Sequence, residues 1–448
     1  MNRRQFIKKS GLGAVTLGLA RPWAQCLPVA SGLVHKVGQK KIRWHLKPKK
    51  WKSLGPVDLI PQIDEALQWT NQSLIKYGVA WTPGGCCMRA ACMPAEACAH
   101  YYAMTGDEKT LKAIKAAVGT FRKYRHRARA RRVPYEEIKG PIELDLVNKE
   151  QANVSPYTIE YEMISCHVGR NMRGMRAAAH VLQDEQLLRE AAEELNWWID
   201  NPIAFNREKH FFDARVFLDE DGRTIGSERK YTMNMGGSLA SAMWMVGNDL
   251  GDQRLMRYAE DQVINGITPH QLDNGYCPYN IKHKYQLVDG IALDSNYYHG
   301  LTLQVLSPLL AYDYWQGKPK FVKMLRRGAK YIRDKLTFEN GRCNHPEYLD
   351  PLREKRLGLK RKSPWGLTVN SAYVHTMVYR YLGDAEAFSQ AAKNLRWLHL
   401  NSPTGIAFLP QVGEGGISYN FRQLVLMAWE GMHLKRKGIR DVEVVFLA

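Results

Sequence analysis

Three short polar clusters each stand immediately before an apolar helical run. The segment Asp294-Ser295-Asn296-Tyr297-Tyr298-His299-Gly300 offers an amide, two phenols and an imidazole ahead of Leu301–Leu310. The segment His167-Val168-Gly169-Arg170-Asn171-Met172-Arg173 sets His167, Arg170 and Asn171 at i, i+3 and i+4, on one helical face. In Tyr231-Thr232-Met233-Asn234-Met235-Gly236-Gly237, Asn234 precedes small residues that would admit a ligand. Arginine and histidine on a buried helix are costly unless they meet an anion or an acid partner. Glu160 and Glu162 lie close upstream of the second cluster and can serve as such partners.

Asn, Arg and protonated His can neutralise a carboxylate and stabilise an enolate-like state beside it. Tyr and His can carry the protons. On a polymer of uronic acids this inventory fits β-elimination. The carboxylate is neutralised, the C5 proton is removed and the departing O4 is protonated. Helix N-termini add a favourable field for the carboxylate. The residues expected to act in the chemistry are Tyr298, His299, Asn296, His167 and Asn234. Those expected to hold substrate are Arg170, Asn171, Arg173, Tyr231 and Tyr297, together with Trp81, Arg89, Trp365 and Arg422. Asn370 and His375 are weaker candidates, and His375 reads better as a core histidine.

Two other classes compete. Glycoside hydrolysis needs two carboxyl groups flanking the bond. Glu96, Glu162, Asp273, Asp289 and Asp294 are available but form no obvious pair. A non-catalytic glycan-binding protein would use the same polar clusters only to grip. No metal-ligand spacing, phosphate-binding glycine loop or nucleophile elbow is present, so no metal or cofactor is expected. Four of the eight cysteines cluster as Cys86, Cys87, Cys92 and Cys98, a spacing that matches no zinc pattern. Small buried thiols are expected ahead of a disulfide or a metal site.

The elements that position these residues follow from a repeat. An aromatic-rich helix ends in a Gly-Asp-like turn, and an amphipathic helix begins. The turns are Gly106-Asp107, Gln183-Asp184, Gly251-Asp252, Gly317-Lys318 and Gly383-Asp384, with second positions 77, 68, 66 and 66 residues apart. Gly ends the first helix and Asp caps the next. The helices before the turns are apolar on most sides (Ala95–Met104, Val168–Leu182, Met235–Val246, Tyr298–Tyr314, Asn370–Leu382), so they lie inside. Those after the turns are one-sided and lie outside. Val57–Tyr77 and Asn420–Lys437 remain at the two ends and close a ring. The fold expected is all-α: an (α/α)6 toroid of twelve helices spanning 56–448, with long loops on the face where the inner helices begin.

Charge and address complete the reading. The 448 residues carry a formal net charge of +20. Paired Arg3 and Arg4, then Phe6, Ile7 and Lys8, precede the apolar run Gly11–Ala20, in the pattern of a twin-arginine export signal over 1–25. Removing its five cations leaves +15, and eight more cations lie in a basic arm (26–55) between Lys36 and Lys52. The apolar run is too short to span a bilayer. A periplasmic or secreted location, no nucleic-acid partner, no stable membrane insertion and an anionic polysaccharide partner are therefore expected.

A twin-arginine signal, an (α/α) toroid and the segment Asn296-Tyr297-Tyr298-His299-Gly300 together resemble the toroid polysaccharide lyases, which include alginate, glucuronan, chondroitin and heparin lyases. Alginate lyases of this fold have Asn and His adjacent, whereas Asn296 and His299 are separated by two tyrosines. The resemblance implies Tyr298 as proton donor, His299 or His167 as base or carboxylate partner, and Asn234 or Asn296 with Arg170 as the carboxylate neutralisers.

Overall fold

The turns between helices carry their instructions locally. Gly106, Gly251 and Gly383 take left-handed backbone angles. Asp107, Asp184, Asp252 and Asp384 then accept from the N–H groups of Thr110, Leu187, Leu255 and Ala387. Each such cap is worth about 1 kcal/mol. The fourth turn departs from the pattern. Lys318 makes no side-chain cap, and Pro319 opens the helix instead.

The computed structural model describes residues 42, 44–46, 62–80, 87–130, 162–219, 223–282, 287–288, 290–292, 296–343, 365–401, 421–436 and 442–447. The expected export signal, Trp81, Asp289, Asp294 and the side chains of Trp365 and Glu162 lie outside them. Twelve α-helices longer than one turn appear among the described residues. They are α1 (Gln62–Tyr77), α2 (Cys87–Thr105), α3 (Glu108–Ala130), α4 (Ser165–Leu182), α5 (Glu185–Asp200) and α6 (Met233–Leu250), then α7 (Gln253–Asp261), α8 (Asn296–Leu306), α9 (Pro319–Tyr331), α10 (Trp365–Leu382), α11 (Ala385–Asn401) and α12 (Arg422–Trp429).

The even-numbered helices form the inner layer. Each packs on the next, and α12 packs on both α10 and α2, which closes the ring. The odd-numbered helices lie outside, α3 against α2, α5 against α4, α7 against α6, α9 against α8 and α11 against α10, while α1 packs on α3 and α2. The expected (α/α)6 toroid is therefore the observed fold. Glycine permits the closest approaches. A Cβ on Gly174 would overlap the Cys92 carbonyl of α2, and one on Gly169 would overlap Ser238 of α6.

Two expected helices end early. The stretch Tyr298–Tyr314 is helical only to Leu306, because Pro308 turns the chain into the 3₁₀ segment Ser307–Ala311. Asn420–Lys437 is not one helix either. It ends at Trp429, Gly431 sits at φ 103°, and strand Met432–Arg436 pairs antiparallel with Val442–Phe446. Met432, His433 and Leu434 of the first strand and Val444 of the second are buried in this hairpin.

The loops entering the inner helices are laced together. Glu162–Ile164 pairs with Arg215–Leu218, which pairs with Thr224–Ser227, so one small sheet joins the approaches to α4 and α6. The Ser165 N–H donates to the Ala214 carbonyl, Met233 N–H to Tyr279 and Ile281 N–H to Tyr231. The starts of α4 and α6 are thereby fixed to the strands between them and to the segment 279–281. The five cysteines whose side chains are described (Cys92, Cys98, Cys166, Cys277 and Cys343) are buried, as expected of small core thiols. Burial pushes Cys98 and Cys277 up to about 12.

Candidate functional site

Buried charge runs down the interior of the ring from the starts of the inner helices to their ends. At the starts, Arg89 of α2 lies 3.1 Å from His167 Nε2 of α4, and Arg170 is buried one turn along. Halfway, Glu96 of α2 is shared by two neighbouring helices. Arg173 of α4 donates to its Oε1 at 2.7 and 3.2 Å, and Arg422 of α12 donates to its Oε2 at 2.9 Å. At the far end, Arg176 and His180 of α4 both hold Asp249 of α6, at 2.5 to 3.1 Å. His45, from the segment preceding the ring, donates its N–H to His180 Nδ1 at 3.0 Å.

Burial alone would raise both interior carboxyls. Arg173 and Arg422 outweigh it at Glu96, and Arg176 with His180 outweighs it at Asp249. Each is held at about 2. These acids are ionised counter-charges. A carboxyl of different character lies in the loop before Arg215: Asp213 is buried, and burial raises it to about 6.

The aromatic wall at the same end comes from α8. The Tyr298 ring stacks on Tyr279 at 4.2 Å between centroids, and Tyr297 meets Tyr298 edge-on at 5.8 Å. Lys230 Nζ sits 5.2 Å from the Tyr279 ring centre. Tyr297 and Tyr298 are half-buried. Asn234, at the start of α6, is buried with an Oδ1 that no described group reaches.

The expected residues thus separate. His167, Arg89, Arg170, Asn234, Tyr297 and Tyr298 come to the end of the ring where inner helices begin. Arg173 and Arg422 lie deeper, on Glu96. Asn171 is buried on α4 with its own Oδ1 unpartnered. Asn296 and His299 are in the wall. Asn296 donates to the Ala292 carbonyl and accepts from the Tyr331 hydroxyl. His299 Nδ1 accepts from the Cys277 N–H at 2.9 Å, and Nε2 donates to the Gly328 carbonyl at 3.2 Å. Burial lowers its pKa to about 4, so it is neutral. Tyr231 also faces away. Its hydroxyl accepts from Asn206 at 2.7 Å, and its ring packs on Phe211.

Sequence reasoning weighed Glu96 only as a hydrolytic acid. Its role as the hub between Arg173 and Arg422 was signalled by Arg89, Glu96 and His100, which recur at helical spacing on α2. Tyr279 was missed. It is distant in sequence from Tyr298, and only the lacing of the loops brings the rings together. Among the carboxyls considered for hydrolysis, Asp273 is fully exposed beside Arg327.

No protein-family model matches the chain, and no curated protein matches it. Solved structures do. Cellobiose 2-epimerase from Bacillus thermoamylovorans B4167 is 13% identical, over 77% of this chain and 87% of that one, with a TM-score of 0.56. A D-mannose isomerase is 10% identical, over 82% and 96%, with a TM-score of 0.54. An unsaturated glucuronyl hydrolase specific for heparin is 10% identical over the same shares, with a TM-score of 0.51. At such identities the likeness is one of fold, and the chain is an all-α toroid of the (α/α) kind.

Proposed function

We propose that the chain is a sugar-active enzyme, a polysaccharide lyase that cleaves a uronic-acid polymer by β-elimination after export to the periplasm or beyond. One observation carries the reading. Guanidinium, imidazole and phenol groups collect at one end of the ring, while both interior carboxylates are pinned to arginines and held at about 2. An acid so strongly ionised cannot protonate a glycosidic oxygen. Elimination needs no such acid.

In this scheme Arg89, Arg170 and Asn234 neutralise the substrate carboxylate, which makes the C5 proton removable. Arg89 turns from His167 Nε2 to that carboxylate, and the freed Nε2 takes the C5 proton. The C5–H electron pair becomes the C4–C5 double bond, the C4–O4 bond breaks, and Tyr298 delivers a proton to O4. Tyr297 and Tyr279 frame the phenol.

Hydrolysis is the second reading, and Asp213 favours it. A carboxyl raised to about 6 is the kind of group that serves as a general acid. The named likeness to a glucuronyl hydrolase points the same way. The two readings separate on a panel of uronic-acid polymers assayed for ultraviolet absorbance and for new reducing ends. Both signals together are expected. Reducing ends without absorbance would replace elimination by hydrolysis, and binding with neither signal would leave a glycan-binding protein.

A further inference from the structure

We propose that Arg173, Glu96 and Arg422 form a second oxyanion subsite inside the ring, which receives a carboxylate or sulfate carried by a sugar unit next to the one that reacts. This rests on reading the ring as a site for anionic sugars. Arg422 spends only Nη1 on Glu96, and its Nε and Nη2 are buried without a partner among the described residues. Arg173 spends Nε and Nη2, and its Nη1 is buried without a partner. The two side chains are 0% and 3% exposed. Two cations therefore share one carboxylate, and three N–H-bearing nitrogens around it have no acceptor among the described residues.

Burial of an unbalanced guanidinium is unfavourable, and the lowered pKa of Arg422 reflects that desolvation. A sugar hydroxyl could accept from one of these nitrogens but would leave the charge. An oxyanion supplies both the charge and several acceptor lone pairs, which suits the guanidinium fork. Glu96 is then a positioning residue, whose two oxygens hold the forks of neighbouring helices in place. Asn370 of α10 and Gln423 of α12 also have buried amide atoms without partners, groups suited to the hydroxyls of the same sugar unit.

The test is calorimetric titration of the full chain at low salt with glucuronate, inorganic sulfate and glucose, in the wild type and in Arg422→Gln. The wild type is expected to bind at least one anion and not glucose, and the variant to lose about tenfold or more in affinity. The tighter of the two anions identifies carboxylate or sulfate as the group received. Should Arg422→Gln fail to fold, Arg422→Lys keeps the charge beside Glu96 but removes the fork, and the same loss is expected. Equal anion affinity in wild type and variant, or no anion binding by the wild type, overturns the subsite. The lyase reading fails independently. Anion binding through Arg422 without unsaturated product keeps the subsite and removes the lyase, whereas product formation with anion affinity indifferent to Arg422 does the reverse.

Discussion

Tyr298 and His299 are neighbours in sequence with opposite surroundings. The phenol is half-buried in an aromatic wall, whereas the imidazole is enclosed and gives both nitrogens to main-chain groups of Cys277 and Gly328. Their substitutions should therefore fail differently. Tyr298→Phe keeps the ring stacked on Tyr279 and loses only the transferable proton. Product formation should fall by about a hundredfold or more, with polymer affinity nearly unchanged. His299→Ala removes a clamp between the loop before α8 and helix α9. It should cost about 2–4 kcal/mol in urea unfolding, from the unsatisfied main-chain groups and the cavity, while the folded fraction keeps its turnover. Near-normal rates in Tyr298→Phe would remove that phenol from the mechanism. Lost turnover in a fully folded His299→Ala would return the imidazole to it. Sequence alone could not separate the pair, because both stand in one polar cluster and only the pleating of helix against helix decides which side faces inward.

Helix α4 makes the tightest contacts of the ring, through a glycine on each side. Gly174→Ala should destabilise by about 3 kcal/mol or more, since its Cβ would overlap the rigid Cys92 carbonyl of α2. Gly119→Ala supplies the contrast. Gly119 lies exposed within α3 with nothing near its absent Cβ, so alanine should stabilise by about 0.5–1 kcal/mol. Urea unfolding of both variants reads the difference, and equal effects would mean that α4 and α2 can move apart at little cost. The same logic explains which elements were legible beforehand. Gly-Asp turns and apolar periodicity are local signals, and they located the helical pairs and the closed ring. The early ends of α8 and α12 depend on single residues, Pro308 and Gly431, inside otherwise apolar stretches. The sharing of Glu96 by Arg173 and Arg422 joins three helices from widely separated parts of the chain, and no local pattern encodes such a meeting.

At the scale of the whole ring, the interior stores histidines that must stay neutral. His100, His180, His299 and His375 are each lowered to about 4 from the usual 6.5, in every case first by burial. Arg176 adds repulsion at His100 and His180, whereas Glu96 and Asp249 partly oppose the shift. An unfolded chain takes up protons at these histidines as the pH falls through 6.5, but the folded ring resists until about 4. The stability they contribute is therefore full above 6.5 and is lost progressively between 6.5 and 4. Each histidine contributes a slope of up to about 1.4 kcal/mol per pH unit. Glu96 and Asp249 act in a lower window. Their folded values near 2 lie below the ordinary carboxylate range, so their contribution is lost only as the pH falls from about 4 towards 2. Urea unfolding at half-unit steps from about pH 7.5 to 4.5 reads the histidine window alone, because the scan stops above the carboxylate one. Stability should fall steeply below 6.5, and His375→Asn should reduce the slope by one proton without moving its onset. His375 is the suitable probe, because its ring bonds to main chain and Ser371 in the wall, away from the arginine column. A profile flat to pH 5 would show that the ring opens to admit protons at these sites, and that its interior is wetter than the burial of the four histidines implies.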